Sequence, residues 1–220
     1  MTIRTLKSMF NLGCIAILGR GRQDRDPAVL LERNLVDAEF KGPVLPVNPH
    51  RHAVSGVLAY RDVASLPETP ELAILTTPLA ESPALIHELG ARGTRAVLLL
   101  GNERLHDGCP EDDALRQALL AAAAPYRLRI LGPDRLGMAV PVNSINATLS
   151  QTPLLPGSIS VVTHSSTMLQ VIMQWAQVRK IGFSHLVSLG DRVDVDYSDL
   201  LDYLARDSQT HAILLHLESI

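Results

Sequence analysis

The sequence has few cysteines, few aromatic residues and no marked excess of charge, and these absences exclude several classes of protein. Its 220 residues include two cysteines, Cys14 and Cys109, which cannot build a disulfide framework and are typical of a reducing compartment, so we expect a cytoplasmic protein. A net charge of −3 gives no overall positive field, so neither nucleic acid nor a membrane is an expected partner. No apolar run approaches the roughly 20 residues of a membrane span. Any anion site must therefore be local.

Short apolar runs alternate with helix-forming segments along most of the chain. This alternation predicts an α/β fold in which helices cover both faces of a parallel sheet. The periodicity breaks down over residues 137–156, which we interpret as the crossing between two domains, 1–150 and 151–220. Strands are predicted at residues 14–18, 44–47, 56–59, 72–76, 96–100, 129–131, 159–163, 185–188 and 212–217. Helical segments are predicted at residues 27–38, 62–66, 82–89, 111–124, 166–178 and 198–205.

The first predicted strand ends in a loop that suits an anion. Asp26, after the loop, is a suitable N-cap, and Pro27 fits the first helical turn because its missing N–H is not needed there. Unpaired backbone N–H groups and the positive helix end therefore point into the loop, where anions bind. The loop residues are Gly19, Arg20, Gly21, Arg22, Gln23, Asp24 and Arg25.

The same loop is an incomplete dinucleotide fingerprint. Gly19 and Gly21 match the first two glycines of GxGxxG, but Asp24 occupies the third position. The second strand is not followed by the acidic residue that binds the ribose of NAD. Basic residues follow this strand instead, and they suit a ribose phosphate such as that of NADP or coenzyme A. These residues alone do not decide between the two ligands. The turn after the second strand consists of Asn48, Pro49, His50, Arg51 and His52, of which the histidines and the arginine are the basic residues.

The order of motifs along the chain resembles the N-terminal domains of NDP-forming acyl-CoA synthetases. It is most similar to the branch in which this scaffold is fused to an acetyltransferase, the bacterial protein lysine acetyltransferases. The resemblance covers nearly the whole chain, and its motifs are specific as an ordered set. They are IAILG, FKGPVLPVNP, GVLAYRDVASLP, ELAILTTP, RILGPDRLG, NATLS, PGSISVVTHSS, GFSHLVSLGDRVDVDYSDLLDYLARD and AILLHLES. The resemblance implies a Rossmann-like CoA-binding domain over 1–150 and a partial flavodoxin-like, succinyl-CoA-ligase-like domain over 151–220.

The resemblance also implies a ligand, coenzyme A or acetyl-CoA, and a set of residues that hold it. The first loop would lie against the phosphates, the end of the second strand near the nucleotide, and the 132–137 loop near the thiol. A helix N-terminus at Ser165 and Ser166 would form a phosphate-binding turn. The implied cofactor-binding residues are Gly19, Arg20, Gly21, Arg22, Gln23, Asn48, Pro49, His50, Arg51, Thr76, Thr77, Pro78, Gly132, Pro133 and Asp134.

Two of these motifs depart from the family pattern. Asp134 and Arg135 replace the usual Asn and Cys, a change that bears on chemistry at the thioester end. The usual SQSG turn reads Thr163-His164-Ser165-Ser166 here. His164 beside two serines suggests a nucleophile and its base, but adjacent turn residues rarely face one another, so we assign no catalytic residue.

Two other constellations favour structural roles. Four aspartates at residues 191, 194, 196 and 199 lack the glycine and the glutamate of a calcium loop, so we expect them to cap the following helix and assign no metal site. Met168, Met173 and Trp175 lie at helical spacing and are predicted to belong to the core.

Segments that the synthetase family requires are missing from the 220 residues. The phosphorylated histidine, a nucleotide-grasp domain and an acetyltransferase segment are not found, so we expect the chain to be the N-terminal part of a longer protein and inactive alone. Its expected partners are CoA or acyl-CoA and the remaining C-terminal domains, and a homo-oligomer is possible. The leading interpretation is the CoA-sensing part of a protein lysine acetyltransferase. An NADP-dependent oxidoreductase and a ligand-free regulatory scaffold are the alternatives.

Overall fold

A computed structural model describes residues 4–22 and 26–217 and contains two five-stranded sheets. The strands are β1 (Ile15–Leu18), β2 (Val44–Val47), β3 (Ala53–Val54), β4 (Val57–Leu58), β5 (Leu72–Leu75), β6 (Ala96–Leu100), β7 (Arg129–Asp134), β8 (Gly137–Val140), β9 (Ile145–Thr148), β10 (Pro156–Thr163), β11 (Phe183–Ser188) and β12 (Ala212–His216). The helices are α1 (Arg4–Phe10), α2 (Pro27–Asp37), α3 (Ser82–Arg92), α4 (Pro110–Ala123), α5 (Ser166–Arg179) and α6 (Tyr197–Leu204). The α/β fold expected from the alternating pattern is confirmed.

The first sheet has the order β2-β1-β5-β6-β7, and all its strand pairs are parallel. Its central strands read as unbroken apolar runs and are fully buried, as expected for a parallel sheet covered on both faces. Strand order reverses between β1 and β5, because the chain builds outward from β1 first to one side and then to the other. That reversal creates a crevice at the carboxyl ends of β1 and β5.

Each face of the first sheet packs in its own hydrophobic cluster. Alternate residues such as Ala16 and Ala73 face α3 and α4, while Ile17 and Ile74 face α1 and α2. The cluster that contains Ile17 and Ile74 also contains Val162 of the other sheet. The two sheets therefore share one core, which fixes the loops of one sheet against those of the other.

The second sheet has the order β12-β10-β11-β8-β9, and its first three strands are parallel. The hairpin of β8 and β9 adds two antiparallel strands at the far edge. The sequence predicted an irregular crossing over 137–156, which was wrong for this hairpin because its four-residue strands are too short to produce a clear alternation. The division into 1–150 and 151–220 stays a prediction.

Several other elements differ from the expected ones. Residues 62–66 form bends and a turn instead of a helical turn, and the strand expected at 56–59 is only β4, paired with β3. The strand expected at 129–131 continues to Asp134. Helix α1 was not predicted from the sequence. Among the described residues, no helix is long and apolar enough to cross a bilayer.

The prediction that three side chains of α5 lie in the core was correct for one of them. Met173 is buried, whereas Met168 and Trp175 are 37% and 51% exposed. Apolar residues surround much of this helix, so spacing alone could not identify the face that packs on the sheet. The side that packs inward is the one that carries Leu169, Met173 and Ala176.

Candidate functional site

The residues predicted to hold a ligand lie at the carboxyl ends of neighbouring strands of the first sheet. The backbone N–H of Gly19, after β1, donates to the carbonyl of Val47 at the end of β2 (3.0 Å). On the other side, the N–H and the hydroxyl of Thr76, after β5, both donate to the carbonyl of Leu18 (2.9 and 3.0 Å). Three strand ends are thus joined around the crevice where strand order reverses.

The first loop is folded around the carboxylate of Asp26. One carboxylate oxygen accepts from the N–H of Gly21 (2.6 Å) and the other from the N–H of Ala28 (3.0 Å). A side chain at position 21 would place its Cβ 2.3 Å from the same carboxylate, so glycine is required there. Asp26 is the N-cap of α2, as predicted, and it therefore occupies N–H groups that were expected to face an anion.

The arginines of the first loop have different environments. Arg20 makes an ion pair across the crevice, with its Nη2 2.7 Å from Oε2 of Glu81 in the turn that precedes α3. Arg22 is exposed. Gln23, together with residues 24 and 25, lies outside the described residues. The exposed Arg22 and the half-exposed Arg20 are therefore the described cations of this loop.

Asn48 connects the end of β2 to the first loop. Its side-chain amide donates to the carbonyl of Gly21 (3.0 Å), and its side-chain oxygen accepts from the N–H of His50 (2.9 Å). Asn48 is only 2% exposed, whereas Pro49 and His50 are exposed and Arg51 is half-buried. The buried amide positions the loop, and the basic residues after it lie at the surface.

The third group of predicted residues is Thr76, Thr77 and Pro78, and Thr77 borders a small cavity. Thr77 lines it together with Ser82, Glu103 and Pro133. Glu103 accepts from the N–H of Leu79 at 3.0 Å, directly after Pro78. The cavity also reaches Pro133 in β7, so it connects Thr77 with the predicted residues at the end of that strand.

The fourth group of predicted residues is Gly132, Pro133 and Asp134. They were expected in a loop, but they form the end of β7. Asp134 is 5% exposed, and one of its carboxylate oxygens accepts from the N–H groups of Leu136 and Gly137 (both 2.8 Å). Gly190 packs so closely on Pro133 that a Cβ there would lie 2.0 Å from the Pro133 carbonyl oxygen. The carboxylate that departs from the family pattern thus holds the turn between β7 and β8.

The segment between β11 and α6 is fixed along the edge of β7. The N–H groups of Asp191, Val193 and Val195 donate to three carbonyls of β7, those of residues 133, 132 and 130, at 3.0–3.2 Å. The Asp191 carboxylate, 4% exposed, accepts from Arg104 (2.9 Å) and from the N–H of Leu105 (2.7 Å). These contacts bring the carboxyl end of β11 to the first sheet.

The predicted phosphate-binding turn shares a cleft with the fourth group. Ser165 is the N-cap of α5, and its hydroxyl accepts from the N–H of Met168 (3.2 Å). The N–H of Ser165 in turn donates to the Thr163 hydroxyl (2.9 Å). The cleft has a volume of about 140 Å³ and a mixed charge. Its lining includes Glu103, Arg104, Pro133, Asp134, Arg135, His164, Ser165, Ser166 and Asp191.

The structure therefore brings the predicted residues together in two places. The ends of β1, β2 and β5 surround the crevice, and Pro133 and Asp134 meet Ser165 and Ser166 in the cleft. Glu103 lines both the cleft and the small cavity, so it lies between the two places. Glu81 and Glu103 were not predicted at the site, and Asp191 was expected to cap a helix instead. Each of the three contacts the site through a partner distant in sequence.

Of the four aspartates expected to cap the helix that follows them, two do so. Asp196 caps α6 in a reciprocal capping box with Asp199. Asp194 and Asp199 also pair with the buried guanidinium of Arg129 (2.7 and 2.6 Å). Among the described residues, no group of three histidine, cysteine or acidic side chains could hold a metal ion.

Two family models match this chain, and together they cover most of it. Residues 14–141 match the CoA binding domain family, and residues 156–220 match the succinyl-CoA ligase like flavodoxin domain. The subunit alpha of acetate–CoA ligase [ADP-forming] I from Pyrococcus furiosus is 28% identical over 98% of this chain and 47% of its own length. A trans-feruloyl-CoA synthase from an unknown prokaryote is 29% identical over 94% of this chain and 30% of its own length.

Solved structures give the same result for the fold. The apo form of a dinucleotide-forming acetyl-coenzyme A synthetase from Ca. Korarchaeum cryptofilum superposes with a TM-score of 0.88 at 28% identity. The matched region covers 98% of this chain and 46% of the synthetase chain. This chain thus spans about half, or less, of the length of the relatives that it matches.

Proposed function

The chain belongs to the CoA binding domain family, and from that premise we propose that it binds coenzyme A or acetyl-CoA at the crevice between β1 and β5. The observation that carries the proposal is the joining of three strand ends around that crevice. Open α/β sheets bind ligands where strand order reverses. The phosphates would face Arg20, Arg22 and the loop that Asn48 holds, and the ribose phosphate would face His50 and Arg51.

The proposed path of the ligand follows the cavities toward the second domain. From the crevice it passes Thr76, Thr77 and Pro78, and its thiol end reaches Pro133 and Asp134. In this proposal Ser165 and Ser166 present the N-terminus of α5 to a phosphoryl group in the cleft. The chain would then act as the alpha-subunit-like part of an ADP-forming acyl-CoA ligase.

Isothermal titration calorimetry with CoA, acetyl-CoA and NADPH tests the ligand. We expect saturable binding of CoA that weakens in the Arg20→Ala and Arg22→Ala variants and is unchanged in Arg206→Ala, whose only described ion pair is with Asp202 on α6. Binding of NADPH in preference to CoA, or no heat at millimolar CoA, would contradict the proposal.

A sensing role in a protein lysine acetyltransferase is the second candidate, and the departure at Asp134 and Arg135 favours it. A sensor should discriminate acetyl-CoA from CoA, whereas a ligase part must hold both. A preference of tenfold or more for acetyl-CoA in the same titration would support sensing, and equal affinities would support the ligase role. Both roles fit the cytoplasmic location that we infer from the two free cysteines.

A further inference from the structure

The ion pair between Arg20 and Glu81 lies at the centre of the crevice. Arg20 follows the last residue of β1 by two positions, and Glu81 ends the short turn Leu79–Glu81 after β5. The two strands are adjacent and parallel, with Leu18 opposite Leu75. The 2.7 Å contact therefore spans the point where strand order reverses, and a ligand in the crevice must meet it.

The groups of this crevice that could bind an anion are already paired with carboxylates of the chain itself. Asp26 accepts from the N–H groups of Gly21 and Ala28, and Glu81 pairs with Arg20. Asp26 is fixed because it caps α2. Glu81 is different: it occupies the N-cap position of α3 without a side-chain capping hydrogen bond, and a third of its side chain is exposed. Its carboxylate can therefore leave Arg20 without disrupting a helix.

We infer that Glu81 is an internal competitor for the phosphates of the ligand, and that it sets the affinity of the crevice. In the free protein its carboxylate holds the Arg20 guanidinium. A phosphate group that enters the crevice takes this place, because phosphate offers the guanidinium a more highly charged acceptor. The inference rests on the proposed binding of CoA. Only an anion that binds the Arg20 guanidinium more strongly than the Glu81 carboxylate does would then occupy the crevice.

Two substitutions separate competition from simple charge repulsion. Glu81→Gln removes the charge and the ion pair together. Glu81→Asp keeps the charge but shortens the side chain by one methylene, so its carboxylate draws back from the Arg20 guanidinium while its charge stays beside the crevice. It gains no capping bond in exchange, because the backbone of residue 81 is helical and not extended. Glu88→Gln, an exposed residue on the same helix, is the matched control for net charge.

Calorimetric titration of these variants with CoA tests the inference. Since exposed ion pairs contribute up to about 1 kcal/mol, we expect Glu81→Gln and Glu81→Asp to tighten CoA binding by about two- to fivefold, with Glu88→Gln unchanged. In an Arg20→Gln background the gain should disappear. Unchanged or weaker binding in Glu81→Asp, or a gain that persists without Arg20, would overturn the inference. An absence of CoA binding by the unsubstituted chain would instead refute the proposed function.

Discussion

The side-chain amide of Asn48 donates a 3.0 Å hydrogen bond to the carbonyl oxygen of Gly21. This bond joins two loops that are 27 residues apart and lie at the ends of adjacent strands. The same side chain accepts from the N–H of His50, so one buried amide determines the positions of both loops. The shape of the crevice therefore depends on Asn48 more than on the exposed basic residues around it.

We expect Asn48→Ala to weaken both the fold and ligand binding. It leaves the Gly21 carbonyl and the His50 N–H without their partner, which should lower the free energy of unfolding by about 1–2 kcal/mol. CoA binding should weaken as well, because the first loop is no longer held. Urea denaturation and calorimetry measure the two effects. Asn102→Ala, at an exposed strand end, is the control; equal effects from both variants would contradict this role for Asn48.

A second asparagine joins the two sheets. Asn34 on α2 is 5% exposed, and its amide donates to the carbonyls of Thr148 (2.7 Å), the last residue of β9, and of Ser150 (2.8 Å). Asn34→Asp should lower the free energy of unfolding by about 2–4 kcal/mol, because a carboxylate then faces two buried carbonyl oxygens. Thermal and urea denaturation measure the loss. The reverse change on the same helix, Asp37→Asn, is exposed and should have little effect. A loss below about 0.5 kcal/mol in Asn34→Asp would show that the bond is dispensable.

The strands of the first sheet were predictable from sequence because they are buried on both faces. Runs such as Ile15–Leu18 and Ala96–Leu100 contain only apolar residues, and a glycine or a polar residue ends each of them. Asp26 and Pro27 marked the start of α2 for reasons that are equally local. The residues of a segment were therefore sufficient to predict its structure where that structure depends on no distant partner.

Features that depend on distant partners were not predictable. Arg20 and Glu81 are far apart in sequence, and neither residue type carries a signal for the other. The hairpin of β8 and β9 is ordered by its pairing with β11, and Trp175 remains exposed because Met173 and Ala176 occupy the contact with the sheet. In each case the tertiary contact decides between two outcomes that are equally compatible with the local sequence.

Glu32 on α2 should make the protein less stable as pH rises. It is 1% exposed, and burial raises the pKa of its carboxyl to about 7, against weaker lowering effects from Ser55 and Arg51. The folded protein therefore holds a proton that the unfolded chain releases near pH 4.5, so the stabilisation is complete below pH 4.5 and is lost as pH rises through 7. Glu32→Gln should recover about 3 kcal/mol at pH 8, measured by urea denaturation. Equal stabilities of Glu32→Gln and the unsubstituted chain at pH 8 would contradict this.

His185 should have the opposite dependence. Its ring packs edge-on against the rings of both Phe10 and Tyr203, with Nδ1 3.6 Å from a carboxylate oxygen of Asp207. Burial lowers the pKa of His185 to about 4, and Asp207 offsets this only in part. The unfolded chain takes up a proton near pH 6.5 that the folded protein accepts only near pH 4, so stability is complete above pH 6.5 and falls as pH decreases toward 4.

The two windows overlap, so their contributions to the pH dependence of unfolding oppose each other between about pH 4.5 and 6.5. In urea denaturation, His185→Phe should leave only the Glu32 effect, with stability that decreases as pH rises through this range. Glu32→Gln should leave only the His185 effect, with stability that increases. The exposed His211→Phe is the control and should keep the dependence of the unsubstituted chain. If His185→Phe and His211→Phe have the same pH profile, His185 is not the buried neutral histidine described above.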